Sequence, residues 1–275
     1  MGASKARRAD RTASDGSPYP DRERPSFERD VRAMFTHIAR GYDWFDHLAS
    51  LGQDILWRPR ALWDLDRFRR GASVRRLLDL GCGPGSLTLL AARHYPAAST
   101  VGADFTAAML ESARERTLRR SLRDRVQYVR ATASSLPFAD GAFDVAMSAY
   151  VDRSLPNLER AFRELFRLLA PGGTLLTMEI TEPENPWVRR GFHSYFDTAV
   201  PFLGALAGSE GPYRYLPESL RELPGRAAMI DLLRAAGFER VEAHPQSFGI
   251  VTGYLAGRSG GPPKAISPGA QGAPR

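Results

Sequence analysis

The segment LLDLGCGPGSLT, Leu77 to Thr88, restricts the possible folds of this chain more than any other. An apolar run ends in an acid, glycines follow at 81, 83 and 85, and a helix-forming sequence begins. A short apolar run bounded by turn formers reads as a buried strand. Glycine lets the backbone turn sharply and come close to a ligand. A strand, a glycine turn and a helix in that order open a βαβ unit, so a parallel sheet with crossover helices is expected.

The rest of the chain repeats the alternation. Arg75–Leu80 reads as a strand and Ser86–Tyr95 as a helix. STVGAD, ending at Asp104, is a second strand, and Thr106–Arg119 a second helix. VQYVRA from Val126, FDVAMSA from Phe143 and GGTLLTMEI from Gly172 are three more strands, with Leu158–Leu169 a helix before the last. After Ala227–Ala236, a helix stopped by Gly237, FERVEAHPQ and FGIVTGYLAG follow with no helix between them, so they pair antiparallel. The expected fold is α/β: a Rossmann-like seven-stranded sheet with helices on both faces and a C-terminal antiparallel hairpin. That ending fits a class I methyltransferase better than a dinucleotide dehydrogenase.

Residues 27–257 are expected to form the folded domain, with N-terminal helices in 27–70 and an aromatic insertion at 181–224 on the substrate side. The segments 1–26 and 258–275 read as disordered tails, because turn formers and mixed charge outweigh apolar residues there. No long apolar run suggests a membrane span or a secretory leader. Cys82 is the one cysteine of the chain, which excludes internal disulfides and a cysteine metal cluster and suggests a reducing cytoplasm. The histidines show no paired spacing, so no metal site is expected. The formal charge of +7 comes from arginines interleaved with acids. It suggests peripheral contact with an anionic membrane at its inner face. No basic run interleaved with aromatics indicates nucleic acid.

The glycine turn decides the ligand. Its Gly-x-Gly-x-Gly spacing is not the G-x-G-x-x-G of dinucleotide sites, and no Gly-Lys-Ser/Thr follows as in a P-loop. Asp104 ends the second strand, where an acid can accept from ribose hydroxyls. Asp79 ends the first, where it can meet an amino group through the turn. Gly81, Gly83 and Gly85 supply the close backbone. With a Leu-Pro-Phe loop before the fourth strand and a Pro-Gly-Gly turn before the fifth, the ligand reads as S-adenosyl-L-methionine and the chain as a methyltransferase.

These segments resemble one family, the ubiquinone/menaquinone biosynthesis C-methyltransferases. The likeness runs from about Val31 to Gly257, through Tyr42-Asp43, Ser50 to Asp54, LLDLGCGPG, GADFTAAMLESAR, YRYLPESLRELP and AGFERVEAHPQSFGI. It implies S-adenosyl-L-methionine as donor and a prenylated quinol ring carbon as acceptor. By position it adds Pro84, Thr132, Ala133 and Ala149 to the cofactor contacts. It differs after the fourth strand, where Tyr150, Asp152 and Ser154 replace the family's phenylalanine, leucine and asparagine while Arg153 is kept. Asp46 and QSFGI also differ. These changes are expected to cluster at the acceptor and to mark a diverged paralogue.

A ring carbon becomes nucleophilic when the neighbouring hydroxyl loses its proton. Arg153 is expected to stabilise that phenolate, with Asp152 or Tyr42 taking the proton. His193 and His244 are weaker candidates for the base. Two rivals remain at this point: methylation of a soluble aromatic metabolite, and a cofactor-binding protein without transfer activity, such as a cyclase. The sequence does not specify the acceptor or the oligomeric state, and a homo-oligomer is compatible with it.

Overall fold

A computed structural model of the chain describes residues 25–38, 47, 50–200, 202, 217 and 219–260. The expected tails at 1–24 and 261–275, Tyr42, Asp46 and most of 201–218 lie outside the described residues.

Seven strands form one sheet: β1 (Arg76–Leu80), β2 (Ser99–Asp104), β3 (Val126–Arg130), β4 (Phe143–Ala149), β5 (Leu169–Ile180), β6 (Arg240–Gln246) and β7 (Val251–Gly257). Their order is β3-β2-β1-β4-β5-β7-β6. β1 to β5 run parallel, and β7 is antiparallel to both β5 and β6. This is the expected sheet, closed by its C-terminal hairpin. The chain order reverses between β1 and β4, so their carboxyl ends open on the crevice where ligands of such sheets sit.

Strand alternation sends neighbouring side chains to opposite faces, and both faces are covered. On one, Leu77, Val145, Met147, Leu176 and Leu255 pack with Trp57, Leu62, Leu65 and Phe68 of α2 (Asp54–Arg69) and Leu87 and Ala91 of α3 (Ser86–His94). On the other, Leu78, Ala146, Leu175, Tyr254 and Ala256 meet Phe162, Leu165 and Leu168 of α5 (Leu158–Leu168) and Met229 and Leu233 of α7 (Arg226–Ala235). Among the described residues the other α-helices are α1 (Pro25–Ile38), α4 (Ala107–Arg119) and α6 (Pro186–Ser194). Asn157 starts α5 by accepting from the Arg160 amide at 2.9 Å, a side-chain cap worth about 1 kcal/mol.

Two boundaries differ from expectation. β5 begins at Leu169, and its register against β4 shifts between Phe143 and Val145. Pro171-Gly172-Gly173 is therefore an irregularity inside the strand, as in a bulge, and not a turn before it. Arg258, expected in the tail, belongs to the fold. Its amide donates to Gly173 O at 2.9 Å, and its guanidinium donates to Leu169 O at 2.6 Å and Phe166 O at 3.0 Å, satisfying carbonyls at the end of α5. Among the described residues no helix is long and apolar enough to cross a membrane.

Candidate active site

Two cavities meet at the carboxyl edge of β1 and β4. The first is a cleft lined by Leu80, Gly81 and Gly83 after β1, Asp104 and Phe105 after β2, and Thr132 and Ala133 after β3. Gly81 has φ +63°, and a Cβ there would stand 2.3 Å from Val151 Cγ2, so no side chain fits. Gly83 has φ +52° with nothing within 4 Å of a Cβ, so its backbone faces open space. Thus one glycine makes the turn possible and the next leaves room for a ligand.

Asp104 is fixed by backbone donors. Gly83 N–H donates to Oδ2 at 3.0 Å and Thr106 N–H to Oδ1 at 2.8 Å. Burial raises its pKa against these bonds. Each oxygen keeps lone-pair capacity toward the cleft, as recognition of a vicinal diol requires. Met109, Ala131 and Phe105 add an apolar slot, and Thr132 offers a hydroxyl beside it. These groups fit a nucleoside-bearing cofactor such as S-adenosyl-L-methionine. Val31 and Phe35 of α1 close the cleft from above, and the Arg32 guanidinium lies 5.4 Å from the Phe105 ring centroid. Sequence reasoning missed this cover, although the i, i+4 spacing of Val31 and Phe35 was a visible signal.

Other expected cofactor residues lie elsewhere. Pro84, Gly85 and Ala149 do not line the cleft. Nor does Asp79, which was expected to reach an amino group through the turn. Its Oδ2 accepts from Thr88 Oγ1 at 2.5 Å beneath the turn, and burial lifts its pKa to about 7. Thr88, in the first turns of α3, supplies the donor that holds Asp79 under the glycine turn.

The second cavity, about 400 Å³, is lined by Ser50, Gln53, Asp54 and Trp57 at the start of α2, by Val188, Phe192, Tyr195 and Phe196, and by Arg153, Ile180 and Ile250. Tyr150 lines both cavities. Its backbone is left-handed, φ +62°, which is unusual for a bulky residue. The Trp57 and Tyr150 ring centroids lie 6.5 Å apart in an edge-on arrangement, and the Arg58 guanidinium stands 5.4 Å from the Tyr150 centroid. This conformation sets an aromatic ring on the seam between the cavities.

The segment after β4 places successive side chains in different surroundings. Arg153 lines the second cavity and donates from Nη1 to Glu179 Oε1 at 2.6 Å, both side chains being buried. Asp152, expected as a base, lines neither cavity. It is buried, its Oδ2 accepts from Thr177 at 2.7 Å, and Thr177 in turn accepts from Ser148 at 2.8 Å. Asp152 Oδ1 has no hydrogen-bond partner among the described residues. Burial first, and then the charge of Glu179, raise its pKa to about 8. Ser154 lines the first cavity, not the second. Phe248 is an exposed surface residue. The expected cluster of acceptor-side substitutions is therefore dispersed, and only Tyr150 and Arg153 of that segment touch the second cavity. His193 pairs with Glu182 at 2.7 Å and His244 with Glu242 at 3.2 Å, both outside the cavity. Tyr42 cannot be placed, because it lies outside the described residues.

One polar cluster at the second cavity was not singled out from sequence. Asp54 Oδ1 accepts from Ser50 at 2.9 Å and faces His47 Nδ1 at 2.7 Å, and Oδ2 accepts from Arg58 at 2.7 Å. Burial pushes the Asp54 pKa up, but the bonds from His47 and Ser50 and the Arg58 charge together hold it below the ordinary range. An ionised carboxylate thus faces the cavity, joined to a half-exposed imidazole.

The ubiE/COQ5 methyltransferase family model matches residues 24–258. The demethylmenaquinone methyltransferase of Thermus thermophilus is 39% identical over 226 residues, covering 82% of this chain and 100% of that protein. The ubiquinone/menaquinone biosynthesis C-methyltransferase UbiE of Syntrophotalea carbinolica is 34% identical over 231 residues, covering 84% and 95%. In fold, the chain is similar to a SAM-dependent methyltransferase from Thermotoga maritima described as a possible histamine N-methyltransferase. The TM-score is 0.57 at 18% identity, over 83% of this chain and 99% of that one. The glycine turn, the Asp104 carboxylate and the match along the folded part agree: this chain belongs to the ubiE/COQ5 methyltransferase family and is an S-adenosyl-L-methionine-dependent methyltransferase.

Proposed function

We propose that the chain methylates a ring carbon of a prenylated quinol, a reading supported by relatives named demethylmenaquinone methyltransferase and ubiquinone/menaquinone biosynthesis C-methyltransferase. The observation that carries this reading is the meeting of the two cavities at Tyr150. One has the groups for the cofactor, and the other is an aromatic-lined space with one buried cation, Arg153, and one carboxylate, Asp54. We place the protein in the cytoplasm, in reversible contact with the inner face of the membrane, where such an acceptor resides.

Asp104, Gly81, Gly83, Thr132 and Ala133 would hold the cofactor. When bound, it supplies an electrophilic methyl on a sulfonium and leaves as a neutral thioether. The protein's tasks are alignment, exclusion of water and management of one proton. Trp57, Phe192 and Tyr195 flank the ring. The Asp54–His47 pair receives the proton of the ring hydroxyl, with His47 passing it to solvent. Arg153 balances the phenolate charge, which builds electron density on the adjacent carbon. With the cofactor bound, that carbon would take its methyl. The ring carbon then gives its proton to water while the ring oxygen takes one back, which restores the aromatic quinol with one proton released overall.

Asp152 has a different role from the one expected of it. From behind Arg153 it shares the negative field of Glu179, so its protonation state sets how much of the Arg153 charge remains for the cavity. The test is incubation with methyl-labelled cofactor and demethylmenaquinol, followed by mass spectrometry and NMR of the product. Label on a ring carbon is expected. Label on oxygen, or on a soluble aromatic but not on the quinol, would replace this reading with the rival one.

A further inference from the structure

Three of the chain segments that line the acceptor cavity each also carry a large, exposed apolar side chain. Leu51 lines the cavity yet is 67% exposed, and Ile55 and Leu56 follow it in the first turn of α2, also exposed. Trp187, 80% exposed, precedes Val188 and stands one helical turn before Gly191, both of which line the cavity. Phe248, 86% exposed, precedes the lining residue Ile250 by two positions. The first and third segments are tied together: Ser247 Oγ donates to Gln53 Oε1 at 2.7 Å and accepts from Trp57 Nε1 at 2.8 Å. Leu51 and Phe248 both hold left-handed backbone, φ +51° and +59°. Bulky residues rarely adopt that conformation, which costs on the order of 1–3 kcal/mol. Both side chains stay mostly in solvent, so burial within this chain does not offset the strain.

We propose that Leu51, Leu56, Trp187 and Phe248 form a rim that inserts into the interfacial layer of an anionic lipid bilayer. The inference rests on the quinol reading. A cavity of about 400 Å³ holds a ring and a short piece of chain, so a long apolar tail must leave through the mouth. A mouth rimmed with indole, phenyl and leucine side chains keeps that tail out of water when pressed against lipid. Charge agrees. Arg189 and Arg190 are exposed on α6, and Arg190 has no partner among the described residues. The nearby acids are matched: Glu182 by His193, Glu184 by Arg226 and Asp197 by Arg221. The chain carries +7 overall.

The experiment is flotation of the full chain with vesicles of equal phosphatidylglycerol and phosphatidylcholine, comparing wild type with the double variant Trp187→Ser/Phe248→Ser. Neither residue lines either of the two cavities described above, so the variant should keep its melting temperature and its rate on a water-soluble short-chain quinol. Its partitioning should fall about a hundredfold, from lost burial of two aromatic side chains. Its rate on long-chain quinol in the same vesicles should fall with it. Arg190→Glu should weaken binding at low salt and matter less at high salt. A double variant that floats like wild type overturns the proposal, as does wild type that stays unbound. A variant that loses self-association while vesicle binding is unchanged assigns the rim to a second copy of the chain and also overturns it. If flotation is lost as expected but neither quinol gains a methyl, the surface stands and the quinol reading fails.

Discussion

Arg153 and Glu179 form an ion pair at 2.6 Å with side chains only 5% and 0% exposed, and Arg153 nevertheless lines the acceptor cavity. Glu179 also accepts from the Ile180 amide at 2.9 Å, which fixes its own orientation. The pair therefore aims a cation without solvent screening. Its worth to stability depends on both members. Glu179→Ala leaves Arg153 charged and buried, and should cost about 3–5 kcal/mol, read as a lower urea midpoint. A loss below about 1 kcal/mol would mean that water reaches Arg153 and that the closed pair is not the solution state.

Asp104→Ala should weaken S-adenosyl-L-methionine by about 1.5–3 kcal/mol, the worth of hydrogen bonds to a charged group. Isothermal calorimetry reads this directly. Asp79→Asn should change affinity much less, because Asp79 sits beneath the turn and off the cleft. Equal losses at the two positions would put Asp79 back among the ligand contacts.

Stability should fall as pH rises across neutrality. In the folded state Asp152 is raised to about 8 and Asp79 to about 7, while both titrate near 4 when unfolded. The folded protein thus binds these protons more tightly. Their favourable contribution is full below about pH 4, and is lost as pH climbs from there through about 8. Asp152→Asn cannot lose its proton. Its melting temperature should exceed that of wild type by at least about 2 °C near pH 9, with a smaller difference near pH 5.5. A difference that is the same at both values would show that Asp152 is ionised throughout.

Tyr150→Ala should lower turnover about a hundredfold at saturating cofactor and acceptor, since a small misalignment of donor and acceptor is enough for that loss. Tyr150→Phe keeps the ring and should recover most of the rate. If alanine and phenylalanine behave alike, alignment rests on another residue.

The sheet was legible because parallel strands with crossover helices leave a strong periodic signal, and the last helix is followed by two strands with nothing between them. Gly81, Gly83 and Asp104 line the cleft, as their places at strand ends suggested, and so do Thr132 and Ala133, which the family resemblance supplied. Asp152 and Ser154 were less legible. They flank Arg153 in a short 3-10 turn, where one step along the chain rotates a side chain from cavity to core. Asp54 and Trp57 were visible only as part of a matching segment. Their role depends on α2 sharing a cavity with α6 and bonding to the β6–β7 link, a long-range relation with no local pattern. The closed β5 irregularity was read as a turn, because Pro-Gly-Gly marks bends without saying whether pairing resumes.

The measurement that tests the central claim most directly is turnover of the Arg153→Met and Arg153→Met/Glu179→Met variants with saturating cofactor, set beside their cofactor affinities. Replacing both members of the pair by apolar residues avoids the stranded charge that either single change leaves. Both variants should bind S-adenosyl-L-methionine as wild type does and turn over about 10²–10³ more slowly, the usual cost of losing one electrostatic contact to the transition state. The deficit should shrink as pH rises, because hydroxide then helps to form the phenolate. Lysine at 153 should restore part of the rate, keeping the charge but not the planar fork. Full turnover in the double variant, or a loss confined to cofactor affinity, would contradict the account and remove Arg153 from the chemistry.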